Sequence, residues 1–340
     1  MKAAPIEHGG DLGAARLLFP GAPEPFIDLS TGINPHPYPI PPLPPDAFVR
    51  LPERAAADRL AAVAAAAYGA PSAAHVVGAP GTQILLPLVA GLVRPGRAAV
   101  LGPTYPEHAR AAQQVGHKVE VVSDLASLRG ADFAVVVNPN NPDGRMVSRQ
   151  ALLECAQNLP PGGLLAVDEA FMDVVAPGAS LAGDVGLGNI VVLRSFGKFH
   201  GLAGLRLGFA VTAPDIAARL RDVLGPWAVG GHALAVGTAA LEDRPWAEAA
   251  CACLGQAAAR LEQLLTGAGL EVIGGTPLFR LTHSPAAQAL FQQLGSAGLF
   301  VRRFPERPSW LRFGLPADEP AWQRLAAALG ACSARPGGAD

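Results

Sequence analysis

A chain of 340 residues is long enough for two domains, or for one large domain with a smaller appendage. Half of the residues are hydrophobic, which supplies a sizeable core and excludes wholesale disorder. The 26 basic and 28 acidic side chains leave a formal charge of −2, so neither a basic nucleic-acid footprint nor a solvating acidic tail is present.

The opening MKAAPIEHGG lacks the apolar stretch of a secretory signal. The longest apolar run, Ile84 to Val93, is interrupted by Pro87 and Gly91 and is too short to span a bilayer. A cytoplasmic protein with no membrane or nucleic-acid partner is therefore expected. Cys155, Cys251, Cys253 and Cys332 form no CxxC pair and have no histidine cluster beside them, so reduced thiols and no metal site are expected. Pro35 to Pro45 reads as a stiff, extended connector.

Beyond the connector, short apolar runs alternate with helical spacing. Strands are expected at Ala98–Leu101, Lys118–Val122, Phe133–Val137, Leu164–Val167, Ile190–Leu193 and Leu207–Val211. Helical stretches such as Thr82–Val93, Glu107–Val115 and Ser148–Asn158 lie between several of them. This alternation predicts an α/β fold, its mostly parallel sheet covered on both faces. From Val229 the texture changes to a long Ala-rich helical stretch, His232 to Leu265, and then a β-like run at Glu271–Ile273. The expected division is a large domain over 46–228, with 1–45 and 229–340 forming a small α+β domain. The tail after Cys332 is expected to fray.

Four of the strands run into polar chemistry where ligands of open α/β sheets bind. They are followed by Gly102-Pro-Thr-Tyr105, by Asn138-Pro-Asn-Asn141-Pro-Asp-Gly144, by Asp168-Glu-Ala-Phe171, and by Arg194-Ser195-Phe-Gly-Lys198 with Arg206 eight residues further on. Together with the Gly-rich start Gly78-Ala-Pro-Gly81, this order resembles the fold-type I pyridoxal-phosphate (PLP) enzymes of the aminotransferase class I/II family, over about residues 8 to 315. The resemblance implies a seven-stranded, mostly parallel sheet in the large domain, PLP as cofactor and a homodimer.

It also implies roles. Lys198 would hold the PLP aldehyde covalently, its amine activated by desolvation and nearby cations. Asp168 would keep the pyridine nitrogen protonated, and a cationic partner is expected for so buried a carboxylate. Glu169 beside it reads as half of a solvated loop pair. Tyr105 would stack on the ring and Asn141 would donate to the ring oxygen, while Asn138 and Asn140 read as turn residues. The phosphate would lie on a helix start at Gly81-Thr82-Gln83, with Ser195 and Arg206 completing the cradle. Phe171 stands where aminotransferases of this family often carry Tyr, which speaks against an aspartate-type aminotransferase.

The opening His8-Gly9-Gly10 and Asp28-Leu-Ser-Thr-Gly-Ile-Asn34-Pro35, with Leu299-Phe-Val-Arg302-Arg303 and Trp310-Leu-Arg312 near the end, are similar to threonine-phosphate decarboxylases of cobalamin biosynthesis. That similarity implies a phosphorylated amino acid substrate whose carboxylate and phosphate are shared among His8, Asn34, Arg302 and Arg312, with Asn141 also near the substrate. A histidinol-phosphate aminotransferase is the alternative, and a degenerate PLP fold used only for binding is a third.

Overall fold

The computed structural model describes residues 8–333, so the first seven residues and the tail from residue 334 lie outside the described residues. By their contacts they form a larger unit, Pro37–Glu248, and a second unit built from the chain up to His36 and from Ala249 onward. The division therefore falls later in the chain than the change of texture at Val229 and earlier than the end of the Pro-rich connector. Packing explains both shifts. Tyr38 donates its amide to His200 O (2.9 Å) and sets its ring edge-on to Trp246, centroids 5.1 Å apart. Phe48 stacks on His232 at 5.4 Å, and Val229, Ala233 and Leu234 are buried in the same core as Leu60. These contacts tie 37–45 and 229–248 to the larger unit.

In chain order the strands are β1 (Ile27–Leu29), β2 (Val76–Ala79), β3 (Arg97–Leu101), β4 (Lys118–Val122), β5 (Phe133–Val137), β6 (Leu164–Asp168), β7 (Ile190–Ser195), β8 (Gly208–Thr212), β9 (Glu271–Thr276), β10 (Phe279–His283), β11 (Leu299–Arg303) and β12 (Trp310–Gly314). The larger unit holds a seven-stranded sheet in the order β2-β8-β7-β6-β5-β3-β4. β8 runs antiparallel to both neighbours, and the other pairings are parallel. All six strands expected from the sequence are in this sheet; β2, a four-residue Val-Val-Gly-Ala run, is the seventh.

The pleat sorts side chains between two cores. Ala99, Leu101, Ala134, Val136, Leu165, Val167, Ile190 and Val192 pack on one face. Their alternates Ala98, Val100, Phe133, Val135, Leu164, Ala166, Val191 and Leu193 pack on the other. β4 departs from this pattern: its polar Lys118 and Glu120 and the outer position of the strand leave it largely exposed, not buried on both faces.

The helix Arg54–Tyr68 buries Leu60, Ala64 and Tyr68, four residues apart, and ends at Gly69 in the left-handed conformation (φ 74°). The helix Gly231–Glu242 packs against it. The stretch expected as one helix from His232 to Leu265 is two, Gly231–Glu242 and Arg244–Gly267. Asp243 separates them by accepting the Trp246 amide at 3.1 Å, and Pro245 sits in the first turn, where its missing N–H costs nothing. The stretch Thr82–Val93 yields only the six-residue helix Leu85–Ala90.

The second unit has its own five-stranded sheet, β1-β11-β12-β10-β9, antiparallel except for the β1–β11 pair. Leu29, Leu281, Leu299 and Phe313 are buried within it, and the helix Ala287–Ser296 adds Leu290, Phe291 and Leu294.

Two stability measurements follow from this packing. Leu165, fully buried in β6, should lose about 2–5 kcal/mol of unfolding free energy as Leu165→Ala; a loss below about 1 kcal/mol in urea titration would contradict the two-core assignment. His200 lies between the faces of Phe196 (4.1 Å) and Trp246 (5.5 Å). Burial lowers its pKa, and Arg194 adds to this while Asp173 opposes it. The unfolded chain then binds a proton that the fold refuses, so stability falls as the pH drops below about 6.5. His200→Phe should flatten that part of the stability–pH curve, and an unchanged slope would rule out His200 as its source.

Candidate active site

The register of the large sheet brings its polar endings to one edge. Val137 lies opposite Asp168, Asp168 opposite Leu193, Ser195 opposite Gly208, and Gly208 opposite Ala79. Gly81 and Thr82 after β2, Tyr105 after β3, Asn141 after β5, Asp168, Ser195 and Lys198 on and after β7, and Arg206 before β8 therefore all project from that edge. Every residue expected to meet the cofactor belongs to this set.

Lys198 is half-buried in a helical turn, Phe196–Phe199, that directly follows Ser195. Phe196 and Phe199 anchor the turn in the core. Gly197 lets it close, since a Cβ there would stand 2.8 Å from Ala203 Cα.

Two glycines open the backbone next to Arg206. Gly81 has φ 86°, and a Cβ on it would stand 2.6 Å from Arg206 Nη2. A Cβ on Gly208 would stand 2.6 Å from the Thr82 amide nitrogen. Arg206 itself adopts a left-handed φ of 55° and donates Nη1 to Ala203 O at 3.1 Å. The result is a cradle of bare peptide edges with a guanidinium against it, which fits an anionic group such as a phosphate. The expected helix start at Gly81–Gln83 is corrected here. The helix begins at Leu85, so the amides of 81–83 are presented by a turn.

Asp168 is 6% exposed, with Oδ1 accepting the Ala170 amide at 3.0 Å and Oδ2 lying 2.8 Å from Nε2 of buried His108. His108 is a partner of this carboxylate that was not picked out in the sequence. Its signal was the spacing from Tyr105, one helical turn earlier. Tyr105 donates its hydroxyl to Gln83 Oε1 (3.1 Å) and sets its ring edge-on to His108. Asn138 and Asn140 are fully buried and are more than turn residues. Asn138 exchanges two hydrogen bonds with Val147, and Asn140 donates to Pro103 O (2.9 Å) and accepts from Thr104 Oγ1 (2.6 Å). Asn140 pins the loop after β5 to the loop after β3, Asn138 closes the β5 loop on itself, and Asn141, the next residue after Asn140, is half-buried. Phe171 is buried, as its loss of a hydroxyl permits.

Glu169 is not part of a solvated loop. It is fully buried, 3.1 Å from Arg194 Nη1, and also accepts from Ser180 Oγ and the Leu181 amide. Burial pushes its carboxyl up, and Arg194 works against that.

The second unit holds four of the five residues expected to meet substrate, His8, Asn34, Arg302 and Arg312, whereas Asn141 lies in the larger unit. Arg302 on β11 lies directly opposite Arg312 on β12. Like charges so placed repel. Arg312 is buried, donates Nη2 to Ser30 O at 2.8 Å, and lies 5.0 Å above the Phe279 ring. Burial and then the charge of Arg302 push its pKa down to about 9, with Asp28 opposing, so it stays cationic at neutral pH. Ser30 also accepts the Gly10 amide at its Oγ (2.8 Å) and donates that hydroxyl to Asp28 (2.6 Å). A Cβ on Gly9 would stand 2.5 Å from Ser30 O, so the His8-Gly9-Gly10 segment reaches the same node as Arg312 only because it carries glycine. Asn34 is buried, its Oδ1 accepting the His36 amide at 2.9 Å.

Comparison with known proteins identifies the family. The chain is 44% identical over 331 residues to a threonine-phosphate decarboxylase from Sinorhizobium sp, covering 96% of this chain and 98% of that one. It is 42% identical to a threonine-phosphate decarboxylase from Pseudomonas aeruginosa, covering 95% and 97%. Among solved structures, a histidinol-phosphate aminotransferase from Sinorhizobium meliloti in complex with pyridoxal-5'-phosphate superposes with a TM-score of 0.80 at 20% identity, covering 98% of this chain and 96% of that one. Residues 53–329 match the profile of aminotransferase class I and II. The chain belongs to the aminotransferase class I and II family.

Proposed function

We propose that this protein is a PLP-dependent lyase that decarboxylates L-threonine O-3-phosphate to (R)-1-amino-2-propanol O-2-phosphate, the aminopropanol unit used in cobalamin biosynthesis. The observation that carries the reading is identity above 40% with two threonine-phosphate decarboxylases over almost the whole chain. The paired Arg302 and Arg312 support it, because this substrate has two anionic ends and guanidinium groups bind such groups bidentately. A cytoplasmic homodimer is part of the proposal; among the described residues no helix is long and apolar enough to cross a membrane.

The large sheet's edge fits PLP. The Gly81–Thr82 backbone, Ser195 and Arg206 would take its phosphate. Tyr105 would cover its ring face, Asn141 would donate to its ring oxygen, and Asp168, aligned by His108, would hold a proton on its pyridine nitrogen. Bound PLP supplies an electron sink for the pair left at Cα when the carboxylate departs as CO2. Lys198 would hold the cofactor, release it to the substrate amine, and return a proton to Cα. Arg302, Arg312, His8 and Asn34 would bind the phosphate and carboxylate and so orient the scissile bond.

Incubation with phosphothreonine alone should release one CO2 per substrate consumed; turnover that requires 2-oxoglutarate would identify a histidinol-phosphate-type aminotransferase instead. Borohydride reduction and peptide mapping should tag Lys198, and Lys198→Ala should abolish both the yellow absorbance and turnover. A tag on another residue would sink the cofactor assignment. Arg312→Ala should raise KM about thirtyfold or more, as expected for truncating a buried hydrogen-bonded charge, while PLP affinity stays within about twofold. Equal loss of both would place Arg312 outside the substrate pocket.

A further inference from the structure

β6 and β7 each end in two polar residues, and the pleat sends them to opposite faces. Asp168 and Ser195 continue the parity of Ala166 and Leu193, whereas Glu169 and Arg194 continue that of Val167 and Val192. Behind the edge that carries the cofactor residues lies a second, buried cluster. Arg194, 5% exposed, donates Nη1 to Glu169 (3.1 Å) and Nη2 to Asp173 Oδ1 (2.6 Å), and its Cζ lies 4.4 Å from the centroid of the Tyr68 ring. Glu169 is held on its far side by Ser180 Oγ (2.6 Å) and the Leu181 amide (2.8 Å). The backbones meet here as well, since the Glu169 amide donates to Leu193 O at 2.8 Å.

Such a cluster is a poor way to gain stability. Desolvating three charges roughly cancels their attraction, and well-packed apolar residues of similar volume often do as well or better. What an ion triad supplies that apolar packing does not is direction: each oxygen and N–H has one partner in one place. The directions here fix Glu169, the residue after Asp168, to Arg194, the residue before Ser195 and four before Lys198. Because the pleat couples each residue to its neighbours, a rotation or slide that broke Glu169–Arg194 would swing Asp168 and Ser195 out of their shared face.

We infer that Arg194, with Glu169 and Asp173, is a positioning residue that locks the ends of β6 and β7 in register, so that Asp168 and the Ser195–Lys198 turn meet the cofactor in one fixed relation. The inference rests on the cofactor reading above. None of the three side chains touches the cofactor; they act through the strand ends.

The test separates geometry from stability. Asp173→Asn and the apolar triple variant Glu169→Leu/Asp173→Leu/Arg194→Met are prepared beside the wild type and Leu165→Ala, which destabilises without touching the triad. The readouts are PLP affinity of the apoprotein from fluorescence quenching and the pH midpoint of the bound cofactor's absorbance. Both are taken where circular dichroism shows each variant folded. Asp173→Asn and the triple variant should each lose about tenfold or more in PLP affinity and shift the absorbance midpoint, as outer-layer supports of a bound group do, while Leu165→Ala keeps wild-type values. Wild-type affinity and midpoint in Asp173→Asn would overturn the inference, whether or not the triple variant folds. Loss in Leu165→Ala as large as in Asp173→Asn would reduce the triad to a stabilising role and overturn it equally. Failure of the wild type to take PLP on Lys198 would instead remove the reading beneath it.

Discussion

A carboxylate buried at the end of a strand needs a partner, and β6 ends in two carboxylates in succession. Asp168 and Glu169 point to opposite faces of the sheet, so one partner cannot serve both. Asp168 is met by His108 from the helix after β3, and Glu169 by Arg194 from β7. These two pairings draw three elements to one edge of the sheet. The Gly81–Arg206 cradle and the Lys198 turn are built around the edge so defined. The asymmetry between the faces is chemical: one carboxylate is met by a guanidinium, the other by an imidazole.

This division explains what could be read from the chain. β3, β5, β6 and β7 were legible because each is a short apolar run stopped by a polar motif, and Tyr105, Asn141, Asp168, Ser195 and Lys198 lie in those motifs. β2 was not, because a Val-Val-Gly-Ala run has too few residues to show a period and lies between a helix and a Pro-Gly turn. The break at Asp243 was masked by alanine-rich sequence on both sides, although Asp-Arg-Pro is a recognisable helix restart. The unit boundaries depend on Tyr38 meeting Trp246, a contact between residues remote in sequence that no local pattern announces. The supporting polar residues were hidden for the same reason. His108 meets Asp168 across 60 positions, and Arg194 meets Glu169 across 25. A buried partner of that kind is settled by topology, which sequence periodicity specifies only in outline.

The second unit handles charge differently. Arg302 and Arg312 face each other across adjacent strands, and aromatic faces lie beneath them, Phe304 under Arg302 at 5.5 Å and Phe279 under Arg312 at 5.0 Å. A ring quadrupole steadies a cation without cancelling its charge. The Ser30 carbonyl does the same for Arg312, through a dipole and no net charge.

The two units thus use arginine for opposite ends. In the larger unit Arg194 is saturated by carboxylates, so its charge is spent on holding two strands together and none remains for a ligand. In the second unit Arg312 donates to a carbonyl, lies over a ring and faces the like charge of Arg302, with Asp28 acting against that repulsion. On the proposed function, a doubly anionic substrate there would offset the repulsion between the two guanidiniums, whereas a neutral or singly charged analogue would offset less of it. Selection for a phosphorylated amino acid over an unphosphorylated one would then follow in part from the charge arrangement, before any contact with the substrate's carbon skeleton is considered.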